Sequence, residues 1–281
     1  MNRFFVEQSN IIDGEILITD REDIHHIVKV LRLKAGDICD ISDSAEWEYN
    51  VEITSISKDE VRTKILDKQK FAKEPKLKVT LFQGVPKQGK METIIQKSVE
   101  LGVHNIVPVF TARTVVLPND NFGKKIERWQ KVSAEAVKQC KRGIIPHIES
   151  AVSFVEMLEL IKPEKDGAEK FDAVLFPYEN EENYSIKSAL RELQESFKRS
   201  TSEEMTFEKA SKNAVEGKES TEEAWLKNIA IIIGPEGGFS DDEASKLKEA
   251  GAYCVTLGKT ILRTETAGPT AIAMVMYELE L

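Results

Sequence analysis

A short apolar run that ends abruptly in glycine constrains this chain more than any other feature. Ile229-Ala-Ile-Ile-Ile233 is apolar throughout and is followed at once by Gly234-Pro-Glu-Gly-Gly238. The run is too short for a helix, and with no polar alternation both of its faces must be covered. Such a strand belongs inside a parallel sheet flanked by helices. Phe171–Phe176 has a similar texture, broken only by Asp172, and from Leu77 onward strands and helices alternate. Strands are predicted at Lys78–Gln83, Asn105–Phe110 and Tyr253–Leu257. Helices are predicted over Lys90–Leu101, Phe122–Arg142, the stretch capped by Ser240 that ends at Glu249, and Glu265–Glu278. Alternation of this kind gives an α/β fold with a mostly parallel sheet.

The N-terminal residues have another texture. Glu15–Thr19, Asp37–Ser42, Glu48–Ile56 and Glu60–Leu66 are β-rich, and Asp20-Arg-Glu-Asp23 opens a short helical stretch. These predict a small β-barrel over residues 1–72, with a second domain over residues 73–281. Phe71-Ala-Lys-Glu-Pro75 is the linker. Residues 200–224 are rich in Ser, Thr, Glu and Lys and poor in large apolar side chains, so they are expected to form a flexible insertion.

Several chemistries are excluded. The four histidines and three cysteines do not fall at metal-ligand or disulfide spacing, so no metal is expected. No nucleophile elbow, phosphate loop or G-x-G-x-x-G fingerprint is present. No apolar run outside the helices approaches the ~20 residues of a membrane span, and MNRFFVEQSN lacks the features of a secretory leader. The expectation is a cytoplasmic protein without membrane association. The formal net charge of −9 argues against a polyanionic partner until it is resolved along the chain. Residues 76–147 carry 13 basic and 5 acidic side chains, whereas residues 148–225 carry 10 and 19. One strongly basic block sits inside an acidic protein.

What remains to carry chemistry is a set of strand-end loops. Gly234-Pro-Glu-Gly-Gly238 and Leu257-Gly-Lys-Thr-Ile-Leu-Arg-Thr-Glu-Thr-Ala-Gly-Pro269 leave strands through glycines, which let a ligand approach the main chain. Phe176-Pro-Tyr-Glu179 is a third such end. In open α/β sheets ligands bind at these carboxyl ends. Free backbone N–H and C=O groups suit an adenine-bearing ligand better than a polyphosphate, although tight turns with no ligand would show the same spacing.

Gly234-Pro-Glu-Gly-Gly238 followed by Ile261-Leu-Arg-Thr-Glu-Thr-Ala267 resembles the signature pair of the RsmE family, the 16S rRNA (uracil(1498)-N(3))-methyltransferases of the SPOUT superfamily. The resemblance runs the length of the chain. Arg3-Phe-Phe-Val6 and Val30-Leu-Arg32 resemble the family's PUA-like RNA-binding barrel. Lys97-Ser-Val-Glu-Leu-Gly-Val103 and Glu135-Ala-Val-Lys-Gln-Cys-Lys-Arg142 resemble two helices of its catalytic domain.

The resemblance implies a C-terminal trefoil knot, an obligate homodimer and S-adenosylmethionine as cofactor. The substrate would be 16S rRNA or the assembled small subunit. Cofactor contacts are expected from Phe176, Pro177, Glu179, Ile233, Gly234, Pro235, Glu236, Gly237 and Gly238. Leu257, Gly258, Ile261, Leu262, Arg263, Thr264 and Ala267 would complete the set. Uracil N3 carries a proton, so a base or an anion stabiliser is required. Arg263 and Arg142 are the candidate stabilisers and Glu265 the candidate base, with Glu236 second; either carboxylate could instead cap the last helix or pair with Arg263. Arg3, Arg32, Lys87, Arg113, Gln139 and Arg142 are the expected RNA contacts. Two other readings stay open: methylation of another RNA position or of ribose 2′-O, and a catalytically silent RNA-binding protein.

Overall fold

Period-two burial organises the N-terminal strands. In β5, Tyr49, Val51 and Ile53 are buried while Asn50, Glu52 and Thr54 are not, so one face of the sheet supplies the core and the other meets solvent. The computed structural model describes residues 3–71, 74–116, 118, 121–163, 170–211 and 226–280. The chain divides into two units, Met1–Glu74 with Ala134–Ile145, and Pro75–Ser133 with Pro146–Leu281.

In the first unit, β1 (Arg3–Phe5), β2 (Ile11–Ile12), β3 (Glu15–Ile18), β4 (Ile38–Ser42), β5 (Trp47–Ile56) and β6 (Val61–Lys70) form one sheet in the order β1-β4-β5-β6-β3-β2. Only β1 and β4 run parallel. Helix α1 (Arg21–His25) starts where the Asp20 carboxylate accepts the Asp23 N–H at 2.9 Å, the cap its sequence announces. Phe4, Ile16, Ile18, Ile27, Ile41 and Val51 fill the core together with Cys39. Burial, and secondarily the neighbouring Asp40, pushes the Cys39 thiol up to about 12, which keeps it a neutral apolar packing group.

The same unit grips the turn at residues 141–144. Lys141 takes φ +61°, ending the long helix. The Arg142 guanidinium then pairs with Glu74 at 2.9 Å, both side chains being a tenth exposed or less. The other Glu74 oxygen accepts the N–H groups of Gly143 at 2.6 Å and Ile144 at 3.1 Å. Arg3 donates to the carbonyls of Lys141 and Arg142 at 3.1 Å each and pairs with Glu48. The Ser42 hydroxyl donates to the Gly143 carbonyl at 2.5 Å.

The second unit is built on β7 (Lys78–Gly84), β8 (Asn105–Phe110), β9 (His147–Ile148), β10 (Val152–Ser153), β11 (Ala173–Pro177), β12 (Asn228–Ile233) and β13 (Tyr253–Val255). All pairings are parallel, in the order β10-β8-β7-β12-β11-β13, with β9 beside β8. The helices are α2 (Lys90–Glu100), α3 (Phe122–Cys140), α4 (Phe154–Ile161), α5 (Ile186–Ser211), α6 (Asp241–Glu249) and α7 (Thr264–Leu279). The last turns of α3 group with the first unit.

The continuous apolar strands are explained by what covers them. Phe82, Val174, Phe176, Ala230 and Ile232 pack in one cluster with α4 and α6 side chains such as Met157, Ala244 and Leu247. Their neighbours Leu81, Leu175, Ile229 and Ile231 are equally buried on the opposite face, where α7 lies against β7 and β12 and packs on α2 and α5. Each buried isoleucine contributes roughly 2 kcal/mol, so β12 anchors the sheet from both sides.

The structure differs from the sequence reading around residue 200. Residues 200–211 continue α5 instead of forming a loop; residues 212–224 lie outside the described residues. Ile186, Ala189, Leu190 and Leu193 bury the start of α5, and a helix so anchored propagates through good helix formers such as Glu, Lys and Met. Among the described residues no helix is long and apolar enough to cross a membrane.

Replacing Glu74 by Ala would remove the carboxylate paired with buried Arg142 and the acceptor for two N–H groups. A loss of about 3 kcal/mol is expected, measurable by denaturant unfolding.

Candidate functional site

Strand order places the site. From β7 the chain moves outward to β8 and β10, then returns across the sheet to β11, β12 and β13, so the neighbours β7 and β12 mark a topological switch point. Crevices form at the carboxyl ends of strands at such points. The ends found there are Gln83-Gly84, Ile233-Gly234 and, next along, Pro177 and Val255.

Close main-chain approach holds these ends together. A Cβ on Gly84 would lie 2.5 Å from Pro235 N, so the end of β7 and the loop after β12 meet with no room for a side chain at Gly84. Gly238 has φ +64°, and a Cβ there would come within 2.4 Å of a Glu179 carboxylate oxygen. Glycine is required at both positions.

A buried polar chain then joins the switch point to α7. Gln83 is completely buried, and its Nε2 donates to the Gly84 carbonyl at 3.0 Å and to Thr264 Oγ1 at 2.9 Å. The Thr264 hydroxyl in turn donates to the Gly234 carbonyl at 2.7 Å. Two neutral side chains thereby link the end of β7, the end of β12 and the first residue of α7.

An ionic tie lies nearby. Lys90 Nζ is 3.2 Å from Glu236 Oε1 and 3.2 Å from Glu265 Oε2. The Glu265 contact is an ion pair without the alignment of a good hydrogen bond, since Oε2 is buried with no donor pointed at it among the described residues. Glu236 also accepts the Lys87 N–H at 3.1 and 3.2 Å. Burial pushes the Glu236 carboxyl up, but its own N–H, the Lys90 ammonium and the Lys87 N–H together hold it below the usual carboxylate range. Glu265 is also held low, first by its own N–H and then, against its burial, by Lys90 and Arg263. The two carboxylates raise the Lys90 ammonium in return.

Arg263, at the N-cap of α7, stands 83% exposed and approaches Glu265 Oε1 at 4.0 Å. Ile261 is equally open to solvent at 83%. Arg113 donates to the Gly237 carbonyl at 2.8 Å. Its loop is fixed by Glu243, which accepts the Ala112 N–H at 2.7 Å and completes the Ser240 capping box of α6.

The residues expected from sequence therefore separate. Phe176, Pro177 and Glu179, Ile233 to Gly238, Leu257 to Arg263, Lys87 and Arg113 lie on loops and strand ends of the second unit, and Thr264 and Ala267 lie in the first turn of α7. Phe176 and Ile233 are core side chains and offer the site only main chain. Arg3, Arg32, Gln139 and Arg142 belong to the first unit. There Arg3 and Arg142 grip the turn at 141–144, while Arg32 and Gln139 are exposed. Tyr178, in the same strand-end loop as Glu179, packs against Phe176 at 6.1 Å and donates to Asp241 at 3.2 Å. Trp129 is core, as its helical spacing predicts. Gln83 and Lys90 were not singled out by the sequence. Two acidic residues in facing loops signal the need for a cation, but only the fold shows that Lys90 supplies it.

The chain matches two family models: an RNA methyltransferase domain over residues 73–207 and 181–276, and an RNA methyltransferase PUA domain over residues 18–66. It is 32% identical to the ribosomal RNA small subunit methyltransferase E of Bacillus subtilis, over 100% of this chain and 98% of the relative. Its identity to the protein of that name from Buchnera aphidicola is 31%, over 96% and 90%. The Neisseria gonorrhoeae ribosomal RNA small subunit methyltransferase E, solved bound to S-adenosyl methionine, superposes with a TM-score of 0.74 at 25% identity, over 99% and 98% of the two chains.

Thr264→Val keeps the shape of the side chain but strips the hydroxyl from the buried chain between Gln83 and Gly234. A destabilisation of about 1–3 kcal/mol is expected, read from thermal unfolding.

Proposed function

The chain belongs to the ribosomal RNA small subunit methyltransferase E family, and from that membership we propose that it methylates N3 of a uridine in 16S ribosomal RNA, at the position equivalent to 1498. The methyl donor is S-adenosylmethionine. The observation that carries this reading is the convergence of three glycine-bearing strand-end loops on the β7–β12 switch point, joined by close backbone approach and a buried hydrogen-bond chain.

The residues present fit that cofactor. Leu257, Ile261 and Leu262 offer apolar surface beside main-chain donors and acceptors for an adenine ring, and they are partly or fully exposed. Glu179 and Glu236 provide negative charge suited to a sulfonium and an α-ammonium. When bound, S-adenosylmethionine supplies an already electrophilic methyl carbon, so the protein's work is alignment and management of the uracil proton.

Arg263 is the residue assigned to the uracil. Its exposed guanidinium is positioned to stabilise negative charge at O2 or O4 as N3 loses its proton. Of the two roles open to Glu265, the structure favours anchor over base: a carboxylate held ionised by Lys90 is a weak proton acceptor. Arg142, occupied by Glu74, is assigned to the turn it holds. Lys87, Arg113, Arg32 and Gln139 take the RNA contacts, because their side chains are exposed.

The reading includes a trefoil knot and a homodimer. The knot is supported by the path of the chain: β13 stands at the sheet edge, yet α7, which follows it, lies against the central strands β7 and β12. The dimer is supported by apolar side chains left exposed on and beside the packed helices α2 and α7, Leu101 at 37% and Tyr277 at 73%.

Methylation of small-subunit RNA or particles, followed by nucleoside mass spectrometry, is expected to give 3-methyluridine; label on ribose, or on 23S RNA alone, would refute the assignment. Arg263→Ala should lower turnover roughly 100-fold or more while the dimer persists, and wild-type turnover would remove Arg263 from the mechanism. RNA affinity should fall steeply as salt rises, checked by titration at several ionic strengths.

A further inference from the structure

Lys90 is the first residue of α2, and it reaches two carboxylates that come from separate parts of the chain. Glu236 sits in the loop after β12, and Glu265 lies in the first turn of α7. Both contacts are 3.2 Å, and the three side chains are between 21% and 30% exposed. Without a cation between them, two partly buried anions sharing one ammonium would repel, and the loop and helix that carry them would separate.

The other charged groups facing this cluster cannot replace Lys90. Arg263 approaches Glu265 only to 4.0 Å and is 83% exposed. Lys87 reaches Glu236 through its main-chain N–H, which carries no formal charge. The Arg113 guanidinium is engaged by the Gly237 carbonyl at 2.8 Å. Glu179 lies against Gly238 and adds a further negative charge to the same loop.

We propose that Lys90 is a positioning residue for cofactor capture: by bridging Glu236 and Glu265 it holds the Gly234–Gly238 loop and the first turn of α7 in the arrangement that binds S-adenosylmethionine. This rests on the reading of those loops as the cofactor site. The hydrogen-bond chain through Gln83 and Thr264 fixes the base of the loop; Lys90 fixes its tip. The tip carries Glu236 and Gly237, which are also held by the Lys87 N–H and by Arg113.

A pH signature separates this role from simple packing. Both carboxyls are held below their usual range, so the bridge is complete above the ordinary carboxylate pKa. It is lost only as pH falls through the lowered values. Cofactor affinity should therefore have an acid limb below the usual carboxylate range. With Lys90 replaced by Met, both carboxyls lose their cation and the limb should move upward.

The experiment is calorimetric titration of the full-length protein with S-adenosylmethionine across pH, using wild type, Lys90→Met and Lys90→Arg, with thermal unfolding alongside. At neutral pH Lys90→Met should weaken binding at least about fivefold and shift the acid limb upward, and Lys90→Arg should restore most of both. A Lys90→Met protein with wild-type affinity and an unmoved limb overturns the proposal alone. Wild type that binds no S-adenosylmethionine overturns the cofactor reading and the proposal with it. Should Lys90→Met fail to fold, Lys90→Gln is read by the same two criteria.

Discussion

The hydrogen bond from Thr264 to the Gly234 carbonyl is the contact on which the rest of the site depends. It joins the start of the last helix to the end of the central strand, and Gln83 completes it from the neighbouring strand. Both side chains are buried, so water cannot substitute for a lost partner, and the donors of Gln83 Nε2 and the Thr264 hydroxyl find their acceptors only in this arrangement. That arrangement brings α7 back from the sheet edge, where β13 lies, to the middle of the sheet. The position of every residue from Leu257 to Ala267 follows from this return.

Glycine-rich loops carry a conformational entropy that ordinary packing does not remove. Here the loops are short of side chains but are bound at several points by groups from elsewhere in the unit. Pro235 rests against Gly84, Arg113 holds the Gly237 carbonyl, and Glu179 lies on Gly238. Lys90 joins Glu236 to Glu265. The backbone is left accessible for a ligand while its conformations are restricted before any ligand arrives, and this is the condition under which binding loses least to ordering.

How much of this the sequence discloses depends on whether an interaction is local. The Asp20 and Ser240 caps, the strand at Ile229–Ile233 and the helical face containing Trp129 are local, and each is found where the residues put it. The strand-end loops were legible for the same reason, because an apolar run stopped by glycines is a contiguous signal. Gln83 was not legible, since a glutamine ending a strand acquires its role only when Thr264 arrives. Arg3 and Arg142 show the reach of non-local pairing. As basic residues in a suggestive pattern they read as RNA contacts, but carboxylates distant in sequence, Glu48 and Glu74, occupy them. The helix over 200–211 was missed because its composition is polar, while the burial that anchors it lies upstream at Ile186–Leu193.

Charge segregation along the chain needs the same correction. The basic block at residues 76–147 is partly neutralised by ion pairs that its linear sum does not see. Lys90 is taken by Glu236 and Glu265, Lys138 by Asp23 and Arg142 by Glu74. Asp23 and Glu74 lie outside the block, so the acidic N-terminal segment supplies some of the neutralising charge. A phosphate backbone responds to cations that face solvent, and those paired within the protein contribute little to the counterion release that drives binding. The effective basic surface is therefore narrower than the excess of 13 over 5 side chains suggests. Lys87 and Arg113 fall where this narrower surface meets the strand-end loops, because one is tied to Glu236 by its main chain and the other to Gly237. In the proposed reading, phosphate contact and loop geometry share these two residues, and a polyanion held by Lys87 and Arg113 would lie at the rim of the site.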